Sequence, residues 1–330
     1  MRFSAWYAAC LICAHVGIAV GAQKDVASSF PDRPVRILVG FTAGGGADVV
    51  TRVVAENLSQ RWKHPVVVEN RPGASGVIAA GLLARAANDG YTLGSMSASD
   101  VIVSTITPKL PYDFTKDFSS VSQVTKVPFV LNVGASQTVA SVKSVGDLIA
   151  LARKLQPEPL KFGSGGSGTV THLTGEMFAS AVNIKALHVP YKGGAPAAAD
   201  LMGGQIDFMF SNAPEVIGFI RGGRLRPLGV TSPVRLAVLP DVPTVAETVI
   251  GFEAAQWFGI FGPAAIPRPI LEKLNAAFSE ALMSPEVRKK YDEMGVVTAP
   301  GSLADFDKFV RSEVVRWGKA TRAMDVTGQR

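Results

Sequence analysis

Hydrophobic positions between residues 33 and 93 change period in a regular way. VRILVG (35–40) is a continuous apolar run, and the segment after it (48–62) returns its apolar residues every three to four positions. The first pattern predicts a buried strand and the second an amphipathic helix. PVVVEN (65–70) is again a β-branched run, 77–87 reads as a second helix, Asn88-Asp89-Gly90 as a turn, and Tyr91-Thr92-Leu93 opens a third strand. Such alternation predicts a parallel sheet with helices on its faces. VSQVTKVPFVLNVG (121–134) is extended, but Pro128 is out of place in a central strand, so the segment reads as a crossing into a second lobe. There the alternation restarts, with helices over 144–154, 169–181 and 195–204 and strands at 160–163, 186–191, 206–210 and 226–232. Ser144 and Asp147 supply an S-x-x-D start for the first of these helices. Prolines and glycines between 240 and 262 suit a return crossing. From Pro267 the chain is helical, with breaks near Ser284-Pro285 and Ala299-Pro300-Gly301. The last helix, 303–324, spaces Phe306, Phe309, Val310, Val314 and Trp317 along one stripe that docks on the first lobe.

Length and composition fit this picture. At 330 residues the chain is long for one core and suits two lobes, 30–125 with 250–330 forming the first and 126–249 the second. Residues 1–22 differ from the rest: Arg2, an uncharged apolar stretch, and a small-residue end at Val20-Gly21-Ala22. They read as a secretory signal peptide cleaved near Ala22, and the alternative, an uncleaved anchor, is opposed by that end and by His15. Both cysteines, Cys10 and Cys13, fall in this leader, so the mature chain offers no disulfide, thiolate or cysteine-metal chemistry. Loss of Arg2 takes the net charge from +6 to +5, with charges of both signs interspersed and no basic run of the kind that binds nucleic acid.

Two stretches carry the chemistry. FTAGGGAD (41–48) and GSGGSGT (163–169) each join a strand to a helix through glycines, and neither contains Lys or Arg. The first amides of a helix lack intrahelical acceptors and carry the positive end of its dipole, so both turns suit an anion held by backbone amides, hydroxyls and water. Ser164, Ser167, Thr169 and Thr171 add hydroxyls to the second turn. GSGGSG also matches a dinucleotide fingerprint, but the next strand ends in Val189-Pro190-Tyr191 without the acidic residue that reading requires. His172 and Glu176 stand four apart without a third metal ligand, and His172 reads as a hydrogen-bonding residue at a helix start. Asp48 either compensates its helix dipole or ties down the glycine loop. Tyr191 ends a strand where parallel sheets bind ligands, whereas Trp257 reads as packing. No nucleophile with an adjacent base is present, so an enzyme is not indicated.

RPVRILVGFTAGGGADVVTRVVAENLSQRW, VVVENRPGASGVIAA, DGYTL, KFGSGGSGTVTHLTGEMF, VPYKGGAPAAADLMGGQIDFMF, LRPLGVTS and LPDVPTVAE together resemble the signature segments of the Bug family. These are the periplasmic solute-binding proteins of tripartite tricarboxylate transporters, and the resemblance covers residues 30–320 in order. It implies an α/β, type II periplasmic-binding-protein fold: two lobes, each a mostly parallel sheet flanked by helices, joined by crossing segments and closing on a small carboxylate. Carried over by position, it implies first-lobe ligand contacts at Phe41, Ala43, Gly44, Gly45 and Asp48, with Ala74 in the nearby PGASG turn. Ser95 and Ser97 fall in a third polar loop, SMSAS (95–99). Second-lobe contacts are expected from Ser164, Gly166, Ser167, Gly168, Thr169, His172 and Tyr191, and from Ser211. Ser211 stands where many members carry an acidic residue, and a cleft missing that charge is expected to disfavour ammonium-bearing ligands and favour fully anionic or aromatic acids.

The expected protein is thus a monomeric, periplasmic binding protein without cofactor or metal. It captures a di-, tri- or aromatic carboxylate for membrane permease subunits and binds no nucleic acid. The alternatives are an enzyme that holds a nucleotide or phosphate on GSGGSG, and a carboxylate sensor for a membrane signalling partner.

Overall fold

The computed structural model describes residues 29–323; the leader lies outside them. Strands β1 (Val35–Val39), β2 (Val66–Asn70) and β3 (Thr92–Ser97) pair in parallel, with Val35 opposite Val66 and Arg36 opposite Thr92. Helices α1 (Gly46–Trp62) and α2 (Val77–Leu83) connect them, α2 ending four residues before the expected 87. A second parallel trio consists of β5 (Leu160–Ser164), β6 (Ala186–Pro190) and β7 (Phe208–Asn212), linked by α5 (Val170–Ala181) and α6 (Gly194–Met202).

Two long strands that read as crossings join the trios. β4 (Phe118–Val133) runs antiparallel to β9 (Ala255–Pro263) as far as Pro128, then antiparallel to β7 and β8 (Arg226–Val230) from Phe129 or Val130 onward. The change of partner falls at Pro128, which cannot donate to a ladder. The sheet order among the described residues is β2-β1-β3-β9-β4-β7-β5-β6, with β8 and the short β10 (Val297–Thr298) also on β4. Each parallel trio is therefore extended by antiparallel neighbours. β9 is a buried central strand between β3 and β4, although two glycines and a terminal proline hide it in the sequence.

Helices α3 (Ala98–Ile106), α4 (Val145–Leu155) and α7 (Ala213–Arg221) complete the inner layers, and α8 (Arg268–Met283), α9 (Pro285–Asp292) and α10 (Leu303–Ala323) cover the first half. Ser97 opens α3 with a capping box, its side chain accepting from the Ser99 amide while Asp100 accepts from the Ser97 amide. One buried cluster, including Ile37, Val54, Leu58, Phe258, Leu274 and Phe278, fills the space between sheet, α1 and α8. α10 docks on α3 and β4. At that interface the buried Glu313 carboxylate accepts from the indoles of Trp257 at 2.8 Å and Trp317 at 3.1 Å, so Trp257 packs as expected.

Candidate ligand-binding site

Five helices begin around one small cavity of about 30 Å³ between the two halves. Phe41, Gly45, Gly46 and Ala47 line it from the β1–α1 turn, and Ser99 from the start of α3. Gly165, Thr169 and Thr171 come from the β5–α5 turn, Gly194 from α6, and Asn212 and Glu215 from the start of α7. Gln256 and Phe258 of β9 close it. No Lys, Arg or His is among these residues, so the positive ends of five helix dipoles are the available anion-attracting groups. The amides of Ala47 and Gly194 donate to no protein acceptor among the described residues.

The first glycine turn is held by Asp48. Its Oδ2 accepts from the Gly44 amide at 2.9 Å, and its carboxylate takes further bonds from Arg52 Nε and from Asn70 Nδ2, which also reaches the Phe41 carbonyl. Burial raises the Asp48 pKa, but Arg52, the Gly44 amide and Asn70 outweigh it and hold the group below the usual range. Gly44 makes the turn at φ +79°, and Gly46 passes so close to the opposite half that a Cβ there would lie 2.8 Å from Asn212 Cγ.

The second turn spends most of its amides on itself. Gly165 N donates to Thr171 Oγ1, Gly166 N to Ser164 Oγ and Gly168 N to His172 Nδ1, at 3.0–3.1 Å. Thr169 Oγ1 donates to the Gly166 carbonyl. Ser164 Oγ lies 2.6 Å from His188 Nε2, and the His188 ring stacks on His172 with centroids 3.8 Å apart. Burial and the neighbouring His172 push the His188 pKa down to about 3, so this histidine is neutral. Contacts across the seam close the halves on each other: Ser75 Oγ donates to the Ser167 carbonyl, Val170 N to Ser99 Oγ, and Gly46 N to Glu215 Oε1 at 2.5 Å.

A family model described as "Tripartite tricarboxylate transporter family receptor" matches residues 50–326. The chain belongs to this family of binding proteins. The solved structure of the periplasmic binding protein BugD is 30% identical, covers 90% of this chain and 99% of its own, and superposes with a TM-score of 0.84. Rpa4515 of R. palustris with adipate is 34% identical at TM-score 0.85, covering 91% of this chain and 98% of its own. MatC from Rhodopseudomonas palustris with bound malate is 29% identical at TM-score 0.80, covering 88% and 99%.

Set against these positions, the expected site of this family member is only partly at the cavity. Phe41, Gly45 and Thr169 line it. Asp48, Ser164, Gly166, Gly168 and His172 instead hold the two turns in shape, because loop amides need acceptors whether or not a ligand is present. Ala43, Gly44, Ala74 and Ser167 are exposed along the turns, with Ser167 and the neighbouring Ser75 joined across the seam. Ser95 accepts from Thr51 Oγ1, Ser97 caps α3, and Tyr191 donates to Asp200. Ser211 is turned away from the cavity and meets Asn132, since alternation along β7 points Asn212 inward. The cleft is also not short of a carboxylate: Glu215, four residues beyond Ser211, supplies one. The lining residues outside the expected contacts are Gly46, Ala47, Ser99, Gly194, Asn212 and Glu215, each one to four positions beyond an expected one, together with Gly165 and Thr171 of the second turn and Gln256 and Phe258 of β9.

Proposed function

We propose that this family member is a periplasmic solute-binding protein that captures a small organic carboxylate and delivers it to the permease subunits of a tripartite tricarboxylate-type transporter. The observation that carries the reading is the convergence of five helix starts on a cavity without a cationic side chain. Fixed amide dipoles suit a carboxylate that must later be released, because they stabilise it without a buried ion pair. Relatives solved with adipate and malate support a dicarboxylate as the class to test first.

A cavity of about 30 Å³ holds little more than one water, so an organic acid enters with the halves apart and closure follows around it. The seam bonds of Ser75, Ser99 and Gly46 form only in the closed arrangement, and contacts made in one state alone are what shift the population. The test is a thermal-shift screen of ligand-stripped protein with di-, tri- and aromatic carboxylates beside NAD and ATP. A carboxylate is expected to raise the melting temperature with the logarithm of its concentration. A larger shift from NAD or ATP, or none from any carboxylate, overturns the reading.

A further inference from the structure

Glu215 is 9% exposed, and its two carboxyl oxygens have different surroundings. Oε1 accepts from the Gly46 amide at 2.5 Å and from Asn212 Nδ2 at 2.7 Å, whereas Oε2 has no partner among the described residues. An ionised carboxylate only accepts, so Asn212 must turn its NH2 toward it. That leaves Asn212 Oδ1 as a second buried acceptor without a donor. The carboxyl lies against the Cα of Gly194, where an added Cβ would fall 2.4–2.5 Å from it, so Glu215 occupies room that exists because residue 194 has no side chain. With no cation lining the cavity, both acceptors await a donor that the protein does not supply.

We propose that Glu215, with Asn212, selects the ligand: the bound carboxylate carries an ammonium or hydroxyl group that donates to Glu215 Oε2, while its own carboxylate rests on the free amides of Ala47 and Gly194. This rests on the carboxylate-capture reading above and narrows it. An unsubstituted acid offers no donor and brings a second anion against Glu215. Burial raises the pKa of this carboxyl against the pull of the Gly46 amide and Asn212, so an arriving positive charge is worth more here than at the surface. Ammonium, with a charge and three N–H groups, therefore ranks ahead of hydroxyl.

A matched series tests this by titration calorimetry on ligand-stripped mature protein. Succinate, malate and aspartate share four carbons and differ in bearing hydrogen, hydroxyl or ammonium; glutarate, 2-hydroxyglutarate and glutamate repeat the comparison at five. Wild type is expected to bind a substituted acid at least about tenfold more tightly than the plain acid of its series, and Glu215→Gln to remove most of that preference while melting near the wild-type temperature. Plain acids binding as tightly as substituted ones in both series, or a preference unchanged in Glu215→Gln, overturns the proposal. The wild-type ratios decide the matter alone should the variant not fold. If none of the six binds while another carboxylate does, the selection by Glu215 is refuted and capture stands. If no carboxylate binds at all, capture itself is refuted.

Discussion

Replacing Gly46 with alanine separates the stability of the halves from the energetics of their closure. Gly46 is the first residue of α1 and has no positive φ, so alanine fits the local backbone. In the helix it should stabilise by up to about 0.5–1 kcal/mol, by reducing the entropy of the unfolded chain. The added Cβ would stand 2.8 Å from Asn212 Cγ and Nδ2 and 2.9 Å from its Cβ, where carbon atoms prefer roughly 3.5–4.0 Å. Asn212 belongs to β7 in the other half, so the overlap exists only when the halves are closed. Relieving it displaces Asn212 from Glu215 and costs about 1–3 kcal/mol, as overpacking generally does. Charged to closure alone, that is a loss of affinity of roughly 5–150-fold. Titration calorimetry with a carboxylate found in the screen measures the loss. Melting of the ligand-free protein, expected unchanged or slightly higher, and small-angle scattering, expected to show a more open average, complete the assay. Affinity within twofold of wild type refutes the reasoning, and so does a ligand-free melting temperature several degrees lower, which would place the overlap inside the fold.

Three further substitutions probe the support around the site. Asp100, buried beneath the start of α3, has its pKa raised to about 6 by burial despite bonds from Ser97, against 3.8 unfolded. The native state therefore holds more protons between these values, so stability falls as pH rises from about 4 to 6 and a cost of roughly 3 kcal/mol persists above. Asp100→Asn should flatten urea midpoints over that range, and parallel profiles would contradict the assignment. Asp48→Ala takes the acceptor from the Gly44 amide and should cost about 1–3 kcal/mol in urea unfolding. The depressed pKa of Asp48 means that its contribution is present above the unfolded value of 3.8 and is lost as pH falls through the lower native one, so the variant's deficit should shrink in acid; a constant deficit counts against the role. Glu313→Ala leaves two indole N–H groups without an acceptor and should cost about 2–5 kcal/mol by chemical unfolding followed by tryptophan fluorescence; a loss below 1 kcal/mol would mean that water replaces the carboxylate.

How much of the fold is legible depends on what each element must satisfy. β1 stands out because a largely buried parallel strand becomes a near-continuous apolar run, whereas β2, an edge strand with Val67 half exposed, stands out by its β-branched residues. β9 does not, because two of its positions answer to neighbours: a Cβ at Gly259 would meet the Phe306 ring at 2.3 Å, and one at Gly262 would meet Ile266 Cδ1 at 2.2 Å. Those glycines permit close packing, although in the sequence they look like loop. α3, ASDVIVSTI, is rich in β-branched residues and reads as strand by composition, yet the Ser97–Asp100 spacing held the signal for a helix start.

The site was legible as a place rather than as a set of contacts. Glycines after a strand mark where a helix begins, and so where free amides collect, but three glycines in a row do not say which face of the turn they present. Gly44 makes the bend and lies outside, whereas Gly45 and Gly46 line the cavity and Gly46 N donates to Glu215. The charge at the cleft edge likewise depends on which way a residue faces. A serine at 211 looks like a lost anion only if residue 211 points into the cleft, and the pleat of β7 turns it toward Asn132. The helix that follows returns its third residue, Glu215, to the space beside Asn212. Its carboxylate occupies one amide of the α1 start and leaves the amides of Ala47 and Gly194 free. A cleft that seemed built for anions alone therefore holds free amides with an unpartnered carboxylate oxygen beside them.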